Sequence, residues 1–110
     1  MATSKFKVVR SGMTASPSPR RPGQRVTYTA RGWEIGKRVY VHFRHRGVTR
    51  RTVSLGRAKG PCGVASRRMR AVPTKVRYGS WQAYTDQRKR FSRKTEPQWR
   101  IAFTIFRRFR

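Results

Sequence analysis

The chain has very little acid. Glu34, Asp86 and Glu96 are its three carboxylate residues, against 29 Lys and Arg in 110 positions. So small an inventory leaves little room for the paired carboxylates that general acid–base catalysis uses, and an enzyme is not expected. A single cysteine, Cys62, excludes a disulfide within the chain. One cysteine and two histidines, His42 and His45, are too few for a zinc site built by one chain. No run of about 18 apolar residues is present to cross a membrane as a helix. Met1 to Val9 also lacks the apolar stretch of a secretory leader. Long helical periodicity is absent, so there is no crossover helix for a parallel α/β fold.

What is present in excess is positive charge. The net charge is +26, where a small soluble domain typically carries a magnitude of roughly 2–8. Such a surface repels itself and is relieved by a polyanion or by abundant counterions. Of the cations, 22 are Arg and 7 are Lys. Arg pairs bidentately with phosphate, sulfate or carboxylate and stacks on bases. Hydrophobic residues at 35% and aromatic residues at 12% argue for a packed core rather than a disordered basic tail. The length suits one domain.

Short alternating runs separated by Gly and Pro predict an all-β sandwich of about seven antiparallel strands. A first strand is expected from Phe6 towards Met13. Ser16 to Gly23 carries three prolines in six residues, from Pro17 to Pro22, and reads as a turn or linker. Residues 1–24 thus form an N-terminal strand and linker, and 25–110 the sandwich body. Arg25–Arg31 and Lys37–His45 alternate cleanly. Arg46-Gly47 turns the chain into Val48–Leu55 as a hairpin. A weaker strand follows over Val64–Val72, then another alternating run over Ser80–Asp86, and the last strand over Trp99–Phe109. The expected core is Val26, Tyr28, Val39, Val41, Phe43, Val53, Leu55, Trp81, Ile101, Phe103 and Ile105.

The order of motifs adds a resemblance. Pro22-Gly23-Gln24-Arg25-Val26-Thr27-Tyr28 precedes Gly32-Trp33. Val39-Tyr40-Val41-His42, Leu55-Gly56-Arg57-Ala58 and Gly60-Pro61-Cys62-Gly63 follow. Gly79-Ser80-Trp81, Asp86 and the terminal Phe106-Arg107-Arg108-Phe109-Arg110 complete the series. From Pro22 onward the chain resembles small, basic, secreted single-domain proteins of actinobacteria with an immunoglobulin-like β-sandwich. The resemblance implies that fold and an extracellular or envelope setting. It implies no catalytic residues.

The candidate polyanion-binding residues are Arg44, Arg46, Arg50, Arg51, Arg67, Arg68, Arg88, Arg90 and Arg93. Tyr40 and His42 join them on the outward face of the predicted hairpin. A basic, partly aromatic face of this kind suits nucleic acid, where bases stack and phosphates pair with cations. It also suits an anionic glycan or envelope polymer. No zinc finger, RNP motif or basic zipper is visible, so electrostatic binding without sequence preference is the expectation. His42 and His45 are three apart and face opposite sides of a strand, which does not chelate a metal. Cys62 reads as a small residue closing a glycine-rich loop, with disulfide dimerisation as the alternative. The acids read as structural partners, Asp86 capping a turn or pairing with an Arg.

The resulting expectation is a non-catalytic polyanion-binding module outside the cytoplasm, with no cofactor, metal or small-molecule substrate. One alternative is an intracellular nucleic-acid protein of ribosome-associated or nucleoid type. Another is a structural subunit of a surface assembly. The Thr104–Arg110 run adds membrane-surface contact to the partners considered.

Overall fold

The computed structural model describes residues 11–21, 23–75 and 77–106. Seven strands run in chain order: β1 (Gly12–Ser16), β2 (Arg25–Arg31), β3 (Arg38–His45), β4 (Val48–Arg57), β5 (Ala65–Arg70), β6 (Gly79–Asp86) and β7 (Trp99–Ile105). They form a three-stranded sheet, β1-β2-β5, and a four-stranded sheet, β4-β3-β6-β7. Every pairing is antiparallel. Most of the first strand expected from Phe6 lies outside the described residues; the described β1 begins at Gly12 and pairs with β2. The last three positions of the expected final strand, residues 107–109, lie outside them too.

Alternation along each strand decides which side chains meet between the sheets. Val26, Tyr28 and Ala30 of β2 are fully buried, as are Val39, Val41 and Phe43 of β3. Tyr28 from one sheet meets Phe43 from the other edge-on, with ring centroids 5.6 Å apart. Trp81 is fully buried, and its indole N–H donates to Arg77 O at 2.9 Å. Ile101 and Phe103, expected in the core, are only partly buried, and Trp99 stays 43% exposed. Their strand, β7, is the edge of the wider sheet and has little opposite it except β1. Core residues absent from the expected set include Met13 and Met69, which face inward from β1 and β5, and Trp33, Ala58, Ala71 and Val72, which lie in connections at the two ends of the sandwich.

Tyr28 ties the core to the β5–β6 connection. Its hydroxyl donates to Ala71 O at 2.5 Å, and burial pushes its phenol above the ordinary value of 10.0. A phenol whose folded value is raised stabilises the fold below the unfolded value and stops doing so as pH rises past it. Stability is therefore expected to fall above about pH 10. Tyr28→Phe should cost about 1 kcal/mol at neutral pH, from the lost hydrogen bond, and should flatten that alkaline decline. Urea midpoints at neutral and alkaline pH check both signs.

Candidate polyanion-binding surface

The β3–β4 hairpin turns on Arg46 and Gly47, with φ of 55° and 75°. Two successive left-handed residues make a type I′ turn, which matches the twist of the strands it joins. Asn or Gly ordinarily takes the first of those positions; Arg there costs about 1–2 kcal/mol. The tip thus holds a guanidinium-bearing residue at a strained position. Arg44 sits just behind it and donates to Gly47 O at 2.5 Å. Its guanidinium carbon lies 4.3 Å from the centre of the Phe91 ring. A register shift between Phe43 and Arg44 places Thr49 opposite Arg44 and Arg51 opposite Phe43, leaving Arg50 as the extra residue of a bulge.

Phe91 belongs to the β6–β7 connection, and this connection changes the expected outer face. Tyr40, His42 and Arg44 do occupy one face of β3, but residues 87–98 fold back towards it. His42 is fully buried, with the Phe91 ring 5.4 Å away at a steep angle. It is therefore not a surface contact, contrary to the expectation from strand alternation. Alternation fixes which face a residue takes, and a long loop then covered this part of the face. Tyr40 is half-buried and lies opposite Ser54 and Asp86.

His42 is one member of a buried polar chain. Its Nδ1 lies 2.8 Å from Thr52 Oγ1, and its Nε2 donates to Asp86 Oδ1 at 2.9 Å. The same Oδ1 accepts from the Arg88 backbone N–H at 3.0 Å, and Oδ2 accepts from Gln98 Nε2 at 3.0 Å. Gln98 Nε2 also donates to Ser92 O at 2.9 Å. Asp86 thus caps the turn after β6, as expected, but its buried partner is a histidine rather than an arginine. Hydroxyl, imidazole and carboxylate stand in the order of a nucleophilic relay, yet the imidazole is enclosed. What the arrangement does is fasten both ends of the β6–β7 connection to the sheet.

The other cations fall into distinct zones. Arg88, Lys89, Arg90 and Lys94 line an open concavity of about 720 Å³ in the β6–β7 connection, together with Glu96. Arg93 is exposed on the same connection. Arg68 is exposed on the outer face of the three-stranded sheet, where Arg25 lies opposite Arg70 and Thr27 opposite Arg68. Arg51 is exposed. Arg67 is exposed too, and it donates to Ser54 O at 3.1 Å, bridging β5 to β4. The structure therefore does not gather the expected residues into one patch. Arg44, Arg46, Arg50 and Arg51 share the hairpin end. Arg88, Arg90 and Arg93 share the β6–β7 connection.

Acid is distributed just as unevenly. Among the described residues no arginine makes an ion pair with a carboxylate; Lys37 pairs with Glu34 in an exposed contact, and Asp86 is hydrogen-bonded to the buried His42. Glu34 and Glu96 line one cleft together with Lys37 and Arg88. By strand direction Glu34, Asp86 and Glu96 all lie towards the end of the sandwich opposite the β3–β4 turn. Among the described residues the hairpin end is left with cations and no carboxylate. It also holds all three buried side-chain nitrogens without a partner among the described residues: Arg44 Nε, His45 Nδ1 and Arg50 Nε. Unpartnered buried polar atoms are uncommon and ask for a reason.

Cys62 is exposed as a free thiol. Its backbone does the closing work foreseen for the loop, since Gly32 N–H donates to Cys62 O at 2.8 Å. No family model, curated protein or solved structure matches this chain.

Proposed function

We propose that this chain is a non-catalytic polyanion-binding module, acting on an anionic envelope polymer or extracellular nucleic acid. The observation that carries the reading is the segregation of charge. No described arginine is paired with a carboxylate, and the three acids lie away from the hairpin end. Unneutralised guanidinium groups favour phosphate, sulfate and carboxylate partners, and release of the polymer's counterions drives the association.

The scaffold in this proposal is immunoglobulin-like. Supporting it are the seven strands, the two facing sheets and a chain that changes sheet between β2 and β3, β4 and β5, and β5 and β6. The fourth strand pairs with the third, on the sheet opposite to the one it takes in antibody constant domains.

A second reading, binding of nucleic acid inside the cell, draws on Cys62. An exposed unpaired thiol fits a reducing compartment better than an oxidising one. Both readings require polyanion affinity. Titration with single-stranded DNA, duplex DNA, RNA and a sulfated polymer across a salt series tests them together. The expected result is binding to all four with affinity falling steeply as salt rises; no binding to any near 0.15 M salt rejects both.

A further inference from the structure

Two clefts adjoin at the hairpin end. One, of about 780 Å³, lies between the β1–β2 connection, Tyr78 and the end of β7, and is lined by Arg20, Arg21 and Phe106 among others. The second, of about 400 Å³, runs along the hairpin end beside Arg44 and Arg46. Tyr78 lines both, so the clefts are neighbours. Neither is lined by a carboxylate. Phe106 is 59% exposed and Tyr78 42% exposed, two of the few large hydrophobic side chains left on the described surface.

The wall carrying the arginines is held in shape. Gln24 Oε1 accepts from the backbone N–H groups of Arg20 at 2.8 Å and Arg21 at 3.2 Å, while Gln24 Nε2 donates to Ser18 O at 3.1 Å. Phe106 N–H donates to Arg20 O at 2.8 Å, fixing the aromatic strand end against the basic turn. Tyr78 O accepts from His45 Nε2 at 3.0 Å, joining the shared aromatic residue to the hairpin.

We propose that these clefts form one track for single-stranded nucleic acid. The proposal rests on the polyanion reading and names its occupant. Cation, ring, ring and cation follow one another from Arg20 and Arg21, past Phe106 and Tyr78, to Arg44 and Arg46. A single strand repeats the complementary chemistry, a phosphate and then a flat base, whereas a duplex keeps its bases stacked inside. A sulfated glycan matches the cations but offers no aromatic base.

The test compares a thymidine 12-mer with an abasic 12-mer of the same phosphate count, and with heparin, at 0.15 M salt. Wild type is expected to bind the thymidine strand about tenfold or more tightly than the abasic one, as stacking of at least one base requires. Phe106→Ala, at an exposed side chain, and the Tyr78→Ala/Phe106→Ala pair should erase that preference while leaving abasic and heparin affinities unchanged. Arg20→Gln/Arg21→Gln should weaken thymidine and abasic strands alike. Thermal melts of each variant confirm that it is folded, and Phe106→Ala alone decides the matter if the double variant is not.

Equal affinity of wild type for thymidine and abasic strands overturns the track while leaving polyanion binding intact. So does a loss of heparin binding equal to the loss of thymidine binding on Phe106→Ala. Failure of wild type to bind all three probes overturns the track and the polyanion reading together.

Discussion

Asp86→Ala is expected to cost about 3–5 kcal/mol of stability, because three donors lose their acceptor at once and a buried donor left unpaired costs about 1–3 kcal/mol. His42 would keep its place beneath Phe91 with nothing to accept its Nε2–H. The Arg88 N–H and Gln98 Nε2 would lose the same acceptor. For a small domain this is a large share of a total stability of about 5–15 kcal/mol. Urea unfolding gives the loss directly. Hydrogen exchange gives the location, with amides of residues 87–98 opening first. A loss under about 1 kcal/mol, or exchange unchanged in that connection, contradicts the role assigned to Asp86. The consequence reaches the surface, since Phe91 is the ring against which the Arg44 guanidinium lies.

Gly63→Ala should be nearly as damaging for a different reason. Gly63 has φ of +57°, and a Cβ added there would stand 2.0 Å from Trp33 O and 2.9 Å from Trp33 N. These are backbone atoms, and no side-chain rotation relieves the contact. The loop must lift away from Trp33, breaking the bonds from Gly32 N–H to Cys62 O and from Trp33 N–H to Gly63 O. A left-handed alanine costs about 1–2 kcal/mol, and each lost bond about 1 kcal/mol. The total expected is about 3–4 kcal/mol. Gly60→Ala is the matched control: its φ is +74°, but nothing lies within 4 Å of the added Cβ. It should cost only the conformational part, about 1–2 kcal/mol. Equal losses in the two variants would mean that the Trp33 contact does not hold the loop.

The strands were legible in the sequence because burial on one face imposes alternation, and Arg25–Arg31 and Lys37–His45 alternate without interruption. The Arg46-Gly47 turn was legible from its position between two such runs. The core was harder at its ends. Trp33, Ala58 and Ala71 sit in connections, where no period marks an inward side chain, and Ile101 and Phe103 follow the core period on an edge strand that buries them only in part. Of the candidate site, local sequence brings out the arginine groups, Arg44 and Arg46 with Arg50 and Arg51, and Arg88 with Arg90 and Arg93, because the members of each are near in sequence, but not what lies beside them. His42 and Asp86 are 44 positions apart, on strands whose adjacency no spacing announces. Arg20, Arg21, Tyr78 and Phe106 come from separate connections and a strand end, and only the folded chain brings them to one cleft. The gathering of the three acids at one end is likewise a property of strand direction rather than of sequence position.

Polyanion binding is the central claim, and the slope of its salt dependence tests it most directly. Affinity of the wild-type chain for a single-stranded oligonucleotide, measured between 0.05 and 0.3 M salt, should fall linearly on a double-logarithmic plot. About six cations engaged on phosphates correspond to a slope near −4, at roughly −0.7 per contact for a single strand. A slope of about −3 or steeper, with affinity still measurable at 0.15 M salt, is the result predicted. A slope near zero, or no binding at 0.15 M salt, would contradict the claim, because the unpaired arginines would then be ordinary solvated charge.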